Sequence, residues 1–210
     1  MDDTKEEDWA RHVADECDTS NYAPDITCTV GTIAYRQSYS NCSDSKWAAF
    51  KETFEALVMK RWTRDAEAGR DPRGMRHRWQ VFWVEDEKLE GKSMAKLRDI
   101  WQQRTRIRTE WPTPHFFLMI NDEVVDSVLR QATESQMPFV YAIDPEYGPL
   151  EEAEQDENDT VYKGYLTVAV EVVPTFWCEG GLDAGMAMEE FGQSDRLITD
   201  SFYIMLLKSN

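Results

Sequence analysis

The stretch "RWQVFWVED" (Arg78–Asp86) puts apolar side chains on both faces of one extended segment. Alternation along a strand sends Trp79, Val81 and Trp83 one way and Gln80, Phe82 and Val84 the other. A strand apolar on both faces needs cover on both faces. It is therefore expected at the centre of a sheet, between two layers or between one layer and a partner.

The flanking sequence supplies candidate layers. "GTIAYRQSY" (Gly31–Tyr39) alternates, with Ile33, Tyr35, Gln37 and Tyr39 on one face and Thr32, Ala34, Arg36 and Ser38 on the other. The period then changes. Trp47, Phe50, Phe54, Leu57 and Val58, with Arg61, recur at helical spacing behind Ser43 or Asp44 as N-cap. That helix is expected to end before the loop marked by Gly69, Pro72 and Gly74. Ser93 caps a second helix with Met94, Leu97, Ile100 and Trp101 on its apolar side. "PHFFLMI" (Pro114–Ile120) is a third strand. Asn121 or Asp122 caps a short third helix with Val125, Val128 and Leu129 inside, and "PFVYAID" (Pro138–Asp144) is a fourth strand. "VYKGYLTVAVEVV" (Val161–Val173) reads as a fifth strand stopped by Pro174. "DAGMAMEEF" reads as a short helix and "SFYIMLL" as a last strand.

The order β-α-β-α-β-α-β, then β and β, predicts an α+β fold: a mixed five- or six-stranded sheet with helices packed on it. The late strands arrive without a clear helix before them, so part of the sheet is expected to be antiparallel. A ferredoxin-like core with extensions is one arrangement that fits.

With 41% hydrophobic and 12% aromatic residues, eight of them tryptophan, the chain can bury a core, because each buried aromatic removes ~150–250 Å² from water. At 210 residues it reads as an acidic N-terminal arm over 1–29 and a single domain over 30–210, with an acidic loop at 144–160. That loop holds eight acids and no base. The net charge is −17, which disfavours nucleic acid and anionic membrane and permits a basic protein partner. Residues 60–108 nevertheless carry fourteen bases against eight acids. Trp62 and Trp79 stand among the first of those bases, a pattern akin to phosphate-plus-stacking chemistry. Pairing with the acidic ends is the plainer reading, and a local anion-binding patch the sharper one.

The first residues lack a charged-then-apolar signal layout, and no apolar run reaches the ~18–20 residues of a membrane span. A cytoplasmic or nuclear location is expected, or secretion if a signal peptide has been removed. Cys17, Cys28, Cys42 and Cys178 have no C-x-x-C spacing, so no zinc site is expected. They are free thiols in a reducing compartment and two disulfides in a secreted chain. Two glycosylation sequons begin at Asn41 and Asn158. No P-loop, nucleophile elbow, H-E-x-x-H or EF-hand pattern occurs, so neither metal nor cofactor is expected.

Three stretches, "GTIAYRQSYSNCSDSKWAAFKETFEAL", "VFWVEDEKLEGKSMAKLRDIWQQR" and "YKGYLTVAVE", together resemble a large group of uncharacterised proteins from filamentous fungi. Those pair a Y-R-x-x-Y strand with a tryptophan-bearing helix, an acidic E-D after the second strand, a further tryptophan helix and a late Y-x-G strand. The resemblance spans about residues 30–170. It implies a fungal source and a shared fold, and no catalytic residue.

Candidate chemistry gathers at strand ends. Glu85, Asp86 and Glu87 follow the second strand, where layered sheets often bind ligands, and adjacent carboxylates can supply a general acid or base. Alternation lets Glu85 and Glu87, or Asp86 alone, face one pocket. The plain alternative is that charged residues end a strand in water. His115 is a second candidate acid or base. Arg36 lies mid-strand, and burial would oblige it to pair, with Glu85 or Glu171. Arg36, Trp83 and Tyr35 are the candidate ligand-binding residues. Two functional readings follow. One is a non-enzymatic binding module with an acidic surface. The other is a small-molecule-binding protein or enzyme with an aromatic-lined pocket, using Glu85 or Asp86, Arg36 and His115.

Overall fold

A computed structural model of the chain describes residues 30–67, 77, 79–107, 116–130, 137–148, 162–174, 176–177 and 197–199. Strand β1 (Val30–Arg36) sends Ile33 and Tyr35 into one apolar core and Ala34 into another. Ser43 starts helix α1 (Asp44–Glu67): its carbonyl accepts from the Trp47 N–H at 2.8 Å and its hydroxyl from the Lys46 N–H at 3.3 Å. Trp47, Phe50, Phe54, Leu57 and Val58 are buried along one side of α1. Trp62, not Arg61, extends that stripe by one more turn. The chain returns as β2 (Trp79–Val84) and turns through a short 3-10 segment (Glu87–Leu89). It continues into α2 (Met94–Ile107), where Ser93 accepts from the Lys96 N–H at 3.3 Å. Then come β3 (Phe117–Ile120), α3 (Asp122–Leu129) and β4 (Phe139–Ile143). Asn121 caps α3 by accepting from the Val124 N–H at 3.0 Å. Strands β5 (Tyr165–Ala169) and β6 (Leu197–Ile198) complete the described elements.

These strands form one six-stranded sheet in the order β2-β1-β3-β4-β5-β6. β1 lies parallel to both β2 and β3. β3–β4 and β4–β5 are antiparallel, and β5–β6 is parallel. The fold is thus α+β with a mixed sheet, and its antiparallel pairs fall among the later strands. The order is not ferredoxin-like. That core places a strand between the two strands of its β-α-β unit, whereas β1 and β2 are direct neighbours here.

β2 corrects an expectation. Its sequence reads as central, yet among the described residues it is an edge strand, and β1 and β3 are central. Its two apolar faces reflect cover, not neighbours. α1 and α3 pack into the core on one face, α2 into the core on the other. Trp79 and Val81 join the first core and Val84 the second. Side-chain alternation reports what lies above and below a strand and is silent about what lies beside it.

β5 is also shorter than its sequence suggests. It ends at Ala169, and Val170–Val172 form a 3-10 turn whose valines are buried against α1. A continuous apolar run reads alike as a buried strand or a buried turn. The stretches "DAGMAMEEF" and "SFYIMLL", residues 1–29 and residues 149–161 lie outside the described residues.

The acidic loop has a built base. Arg98 of α2 donates from Nε to the Asp144 carbonyl and from Nη2 to the Gly164 carbonyl, both at 2.7 Å. Tyr162 donates its hydroxyl to Asp144 at 3.0 Å. Gly164 has φ +75°, and a Cβ there would collide with the Tyr147 ring and Arg98.

Candidate functional site

The chain leaves β1 for α1 on one face of the sheet and leaves β2 for α2 on the other. Such divergence at the carboxyl edge is where layered sheets open a ligand crevice. Arg36 closes β1 there. Glu85 follows β2 beside it, because Tyr35 is in register with Val84.

Arg36 is 5% exposed. Its Nε donates to the Ser38 carbonyl and its Nη2 to the Cys42 carbonyl, both at 2.9 Å. Its guanidinium carbon lies 4.2 Å from the Tyr39 ring centroid and 4.6 Å from that of Trp47, within cation–π range of both. Nη1 sits 3.7 Å from Glu85 and 3.8 Å from Asp44. Of the two partners expected for a buried arginine, Glu85 is the one in place. Glu171 instead pairs with Lys60 at 3.1 Å.

Glu85 also accepts from Lys51 at 2.7 Å. Partial burial pushes its carboxyl up, but the Lys51 ammonium, the nearby Trp47 indole and the Arg36 charge outweigh burial and hold it below the usual range. Burial raises the Tyr39 hydroxyl against the lowering pull of Arg36. Asp86 serves the local backbone, capping the 3-10 turn by accepting from the Lys88 N–H at 3.0 Å. Glu87 is exposed in that turn. Strand alternation ends at Val84, so it does not govern how these three acids face.

Trp83 lies on the Arg36 side. Its ring meets Trp47 at 5.5 Å and Phe54 at 5.6 Å, both edge to face, and its indole N–H donates to Glu55 at 2.9 Å. Tyr35 lies on the opposite face, fully buried and edge-on to Phe117 at 5.2 Å. Arg36, Glu85 and Trp83 are therefore brought together, and Tyr35 is turned away from them. His115 lies outside the described residues.

The crevice between the two exits is filled by the chain itself. Gln37 donates to the Lys92 carbonyl at 2.6 Å and the Leu89 carbonyl at 3.3 Å, across to the β2–α2 loop. The Ser40 N–H donates to Glu90 at 2.7 Å, and this bond lowers the Glu90 carboxyl. On the other side, the Ser38 hydroxyl bonds Asp122, and Asn41 donates to Asp122 at 2.7 Å. The β1–α1 loop is thus tied both to the β2–α2 loop and to the start of α3. Tyr39, Trp47, Lys51 and Gln37 escaped sequence reasoning. The one available signal was a pair of aromatics, Tyr39 and Trp47, flanking the turn that follows Arg36.

An open cleft lies elsewhere, between α3, β4 and β6. It holds about 500 Å³ and is lined by Glu123, Asp126, Met137, Phe139 and Leu197 among others. Met137 is 44% exposed, the large hydrophobic most open to solvent among the described residues. Asp126 pairs with Lys46 at 3.0 Å and with Arg130, and their hydrogen bonds lower its carboxyl. Glu123 accepts from the Tyr141 hydroxyl at 2.8 Å.

Among the described residues, no group of three His, Cys, Asp or Glu side chains could hold a metal ion, and no helix is long and apolar enough to cross a membrane. Cys42 is a buried free thiol. No protein-family model matches the chain, and neither curated proteins nor solved structures yield a match.

Proposed function

We propose that this protein is a non-enzymatic interaction module. One observation carries the reading: the carboxyl-edge crevice, where such a sheet would hold a small molecule, is plugged by Arg36 and its own partners. Glu85 is engaged by Lys51 and Arg36, and Asp86 caps a turn, so neither faces an open pocket as a general acid or base. The net charge of −17 favours a basic protein segment, and Met137, Phe139 and Leu197 of the α3–β4 cleft, which also holds Glu123, Asp126 and Arg130, favour an apolar anchor on it.

The fungal resemblance enters the same proposal. Its Y-R-x-x-Y signature is Tyr35, Arg36 and Tyr39, two of which form the plug. A shared fold with that group would follow from a shared need to close this edge.

Native mass spectrometry of the purified full chain, joined to affinity capture, tests the reading. The expected result is a bare chain free of small molecules. A captured basic protein should be lost from Met137→Glu, with thermal stability unchanged. A stoichiometric small-molecule adduct that survives Met137→Glu would overturn the proposal in favour of a small-molecule carrier or enzyme.

A further inference from the structure

We infer that the cleft between α3 and β4 seats a lysine side chain of the partner segment, and that Glu123 receives its ammonium group. This rests on the interaction-module reading and adds to it the side chain recognised.

The cleft has a wall and a floor. Glu123 and Asp126 stand three residues apart on α3, so they share one helix face. Phe139 opens β4 and Leu197 opens β6, and both line the floor with Met137. The Ser127 hydroxyl clamps one to the other. It donates to the Val124 carbonyl at 2.9 Å, lies 3.3 Å from the Phe139 carbonyl and accepts from the Phe139 N–H at 3.4 Å. Wall and floor are thus fixed before a partner arrives, which lowers the entropic cost of binding.

The two carboxylates are not equivalent. Asp126 already carries two cations, Lys46 at 3.0 Å and Arg130. Glu123 is exposed and accepts from the Tyr141 hydroxyl through Oε2 at 2.8 Å, and among the described residues no cation pairs with it. The tyrosine aims the carboxylate and leaves Oε1 to a ligand.

Charge and shape together select lysine. A four-carbon stem can lie on the apolar floor while its charged end reaches the rim. An ammonium is a point charge that one oxygen can hold. A guanidinium fork is at its best against two oxygens at once, and Tyr141 already holds one of them. The net charge of −17 disfavours an anionic ligand in the same place.

Fluorescence anisotropy with three labelled peptides tests this on the full chain at low salt. The peptides share one frame, in which leucine alternates with lysine, with arginine or with glutamine. The lysine peptide should bind the parent about threefold tighter than the arginine peptide and about tenfold tighter than the glutamine peptide. Glu123→Gln should weaken the lysine peptide about fivefold. Glu87→Gln removes the same charge from an exposed turn outside the cleft and should change binding less than about twofold. Tyr141→Phe frees Oε2 and should bring the arginine peptide level with the lysine one. Equal losses in Glu123→Gln and Glu87→Gln would mean bulk charge alone. An arginine or glutamine peptide as tight as lysine on the parent, or an unchanged ratio in Tyr141→Phe, would mean no lysine site. Any of these overturns the inference, as does a parent that binds none of the peptides. Met137→Glu separates this inference from the reading beneath it. If it abolishes binding while Glu123→Gln has no effect, the lysine seat falls and the interaction module stands. If neither variant alters binding, the cleft is not the docking face and both fall. Circular dichroism on each variant confirms that the fold is retained.

Discussion

Arg36 is a positive charge held out of water, and its neighbours explain how that is tolerated. Two carbonyls accept its hydrogen bonds, two rings cover its faces and Glu85 supplies the opposite charge. Lysine has neither the fork nor the flat face. Arg36→Lys should therefore cost ~2 kcal/mol and Arg36→Ala ~3 kcal/mol or more, read from urea unfolding, because the carbonyls and Glu85 lose their partner. A change below ~0.5 kcal/mol in both would mean that Arg36 does not hold this edge. Glu85 adds a pH dependence. Its folded carboxyl titrates below its unfolded value, so the unfolded chain takes up the proton first as pH falls. The stability it contributes is present above about pH 4.5 and is lost as pH drops through the folded value. Glu85 is about a third exposed, so the effect should stay under ~1 kcal/mol. The urea midpoint of Glu85→Gln should fall less than that of the parent between pH 6 and pH 3.5. At this scale the Arg36–Glu85 pair was legible, since a buried charge must find an opposite one. Tyr39, Trp47 and Lys51 were not, because their roles depend on a loop folding back over Arg36.

At the scale of elements, β1 and β2 hold together through an unusually close approach. Gly31 has φ +150°, and a Cβ there would collide with the Gln80 carbonyl oxygen opposite. Gly31→Ala should cost ~3 kcal/mol or more, or leave the chain insoluble, because a backbone oxygen cannot swing aside as a side chain can. Soluble expression with an unchanged melting temperature would refute this. The helices were legible from spacing and caps: Ser43, Ser93 and Asn121 each start a helix by accepting from the N–H three residues on. The place of β2 was not. Its two apolar faces require helices on both sides of the sheet, which α1 and α2 supply, and they say nothing about the number of strand neighbours. The end of β5 was lost for a related reason, since a buried 3-10 turn and a buried strand share one apolar run.

At the scale of the whole molecule, charge dominates. A net −17 repels itself in the compact state more than in the unfolded chain. Raising salt from about 10 mM to 150 mM shortens the screening length from ~30 Å to ~8 Å. It should raise the melting temperature by ~2–4 °C, because relief of this repulsion outweighs the weakening of surface pairs such as Lys46–Asp126. A melting temperature that falls with salt would mean that the ion pairs prevail. From β1 to β4 residue order alone set the kinds of element, their succession and the faces they bury, and it set the charge map throughout, because periodicity and capping act within a few residues along the chain. Which strands are neighbours, and what fills the space at their ends, was settled by folding in three dimensions. Those outcomes depend on contacts between residues far apart in the chain, such as Gln37 with Lys92 or Ser38 with Asp122. No local pattern records them. The carboxylates after β2 were a candidate site in sequence because strand ends often border crevices. In the fold Glu85 pairs with Arg36 and Lys51 and Asp86 caps a turn, while the β1–α1 loop reaches across to the β2–α2 loop beside them.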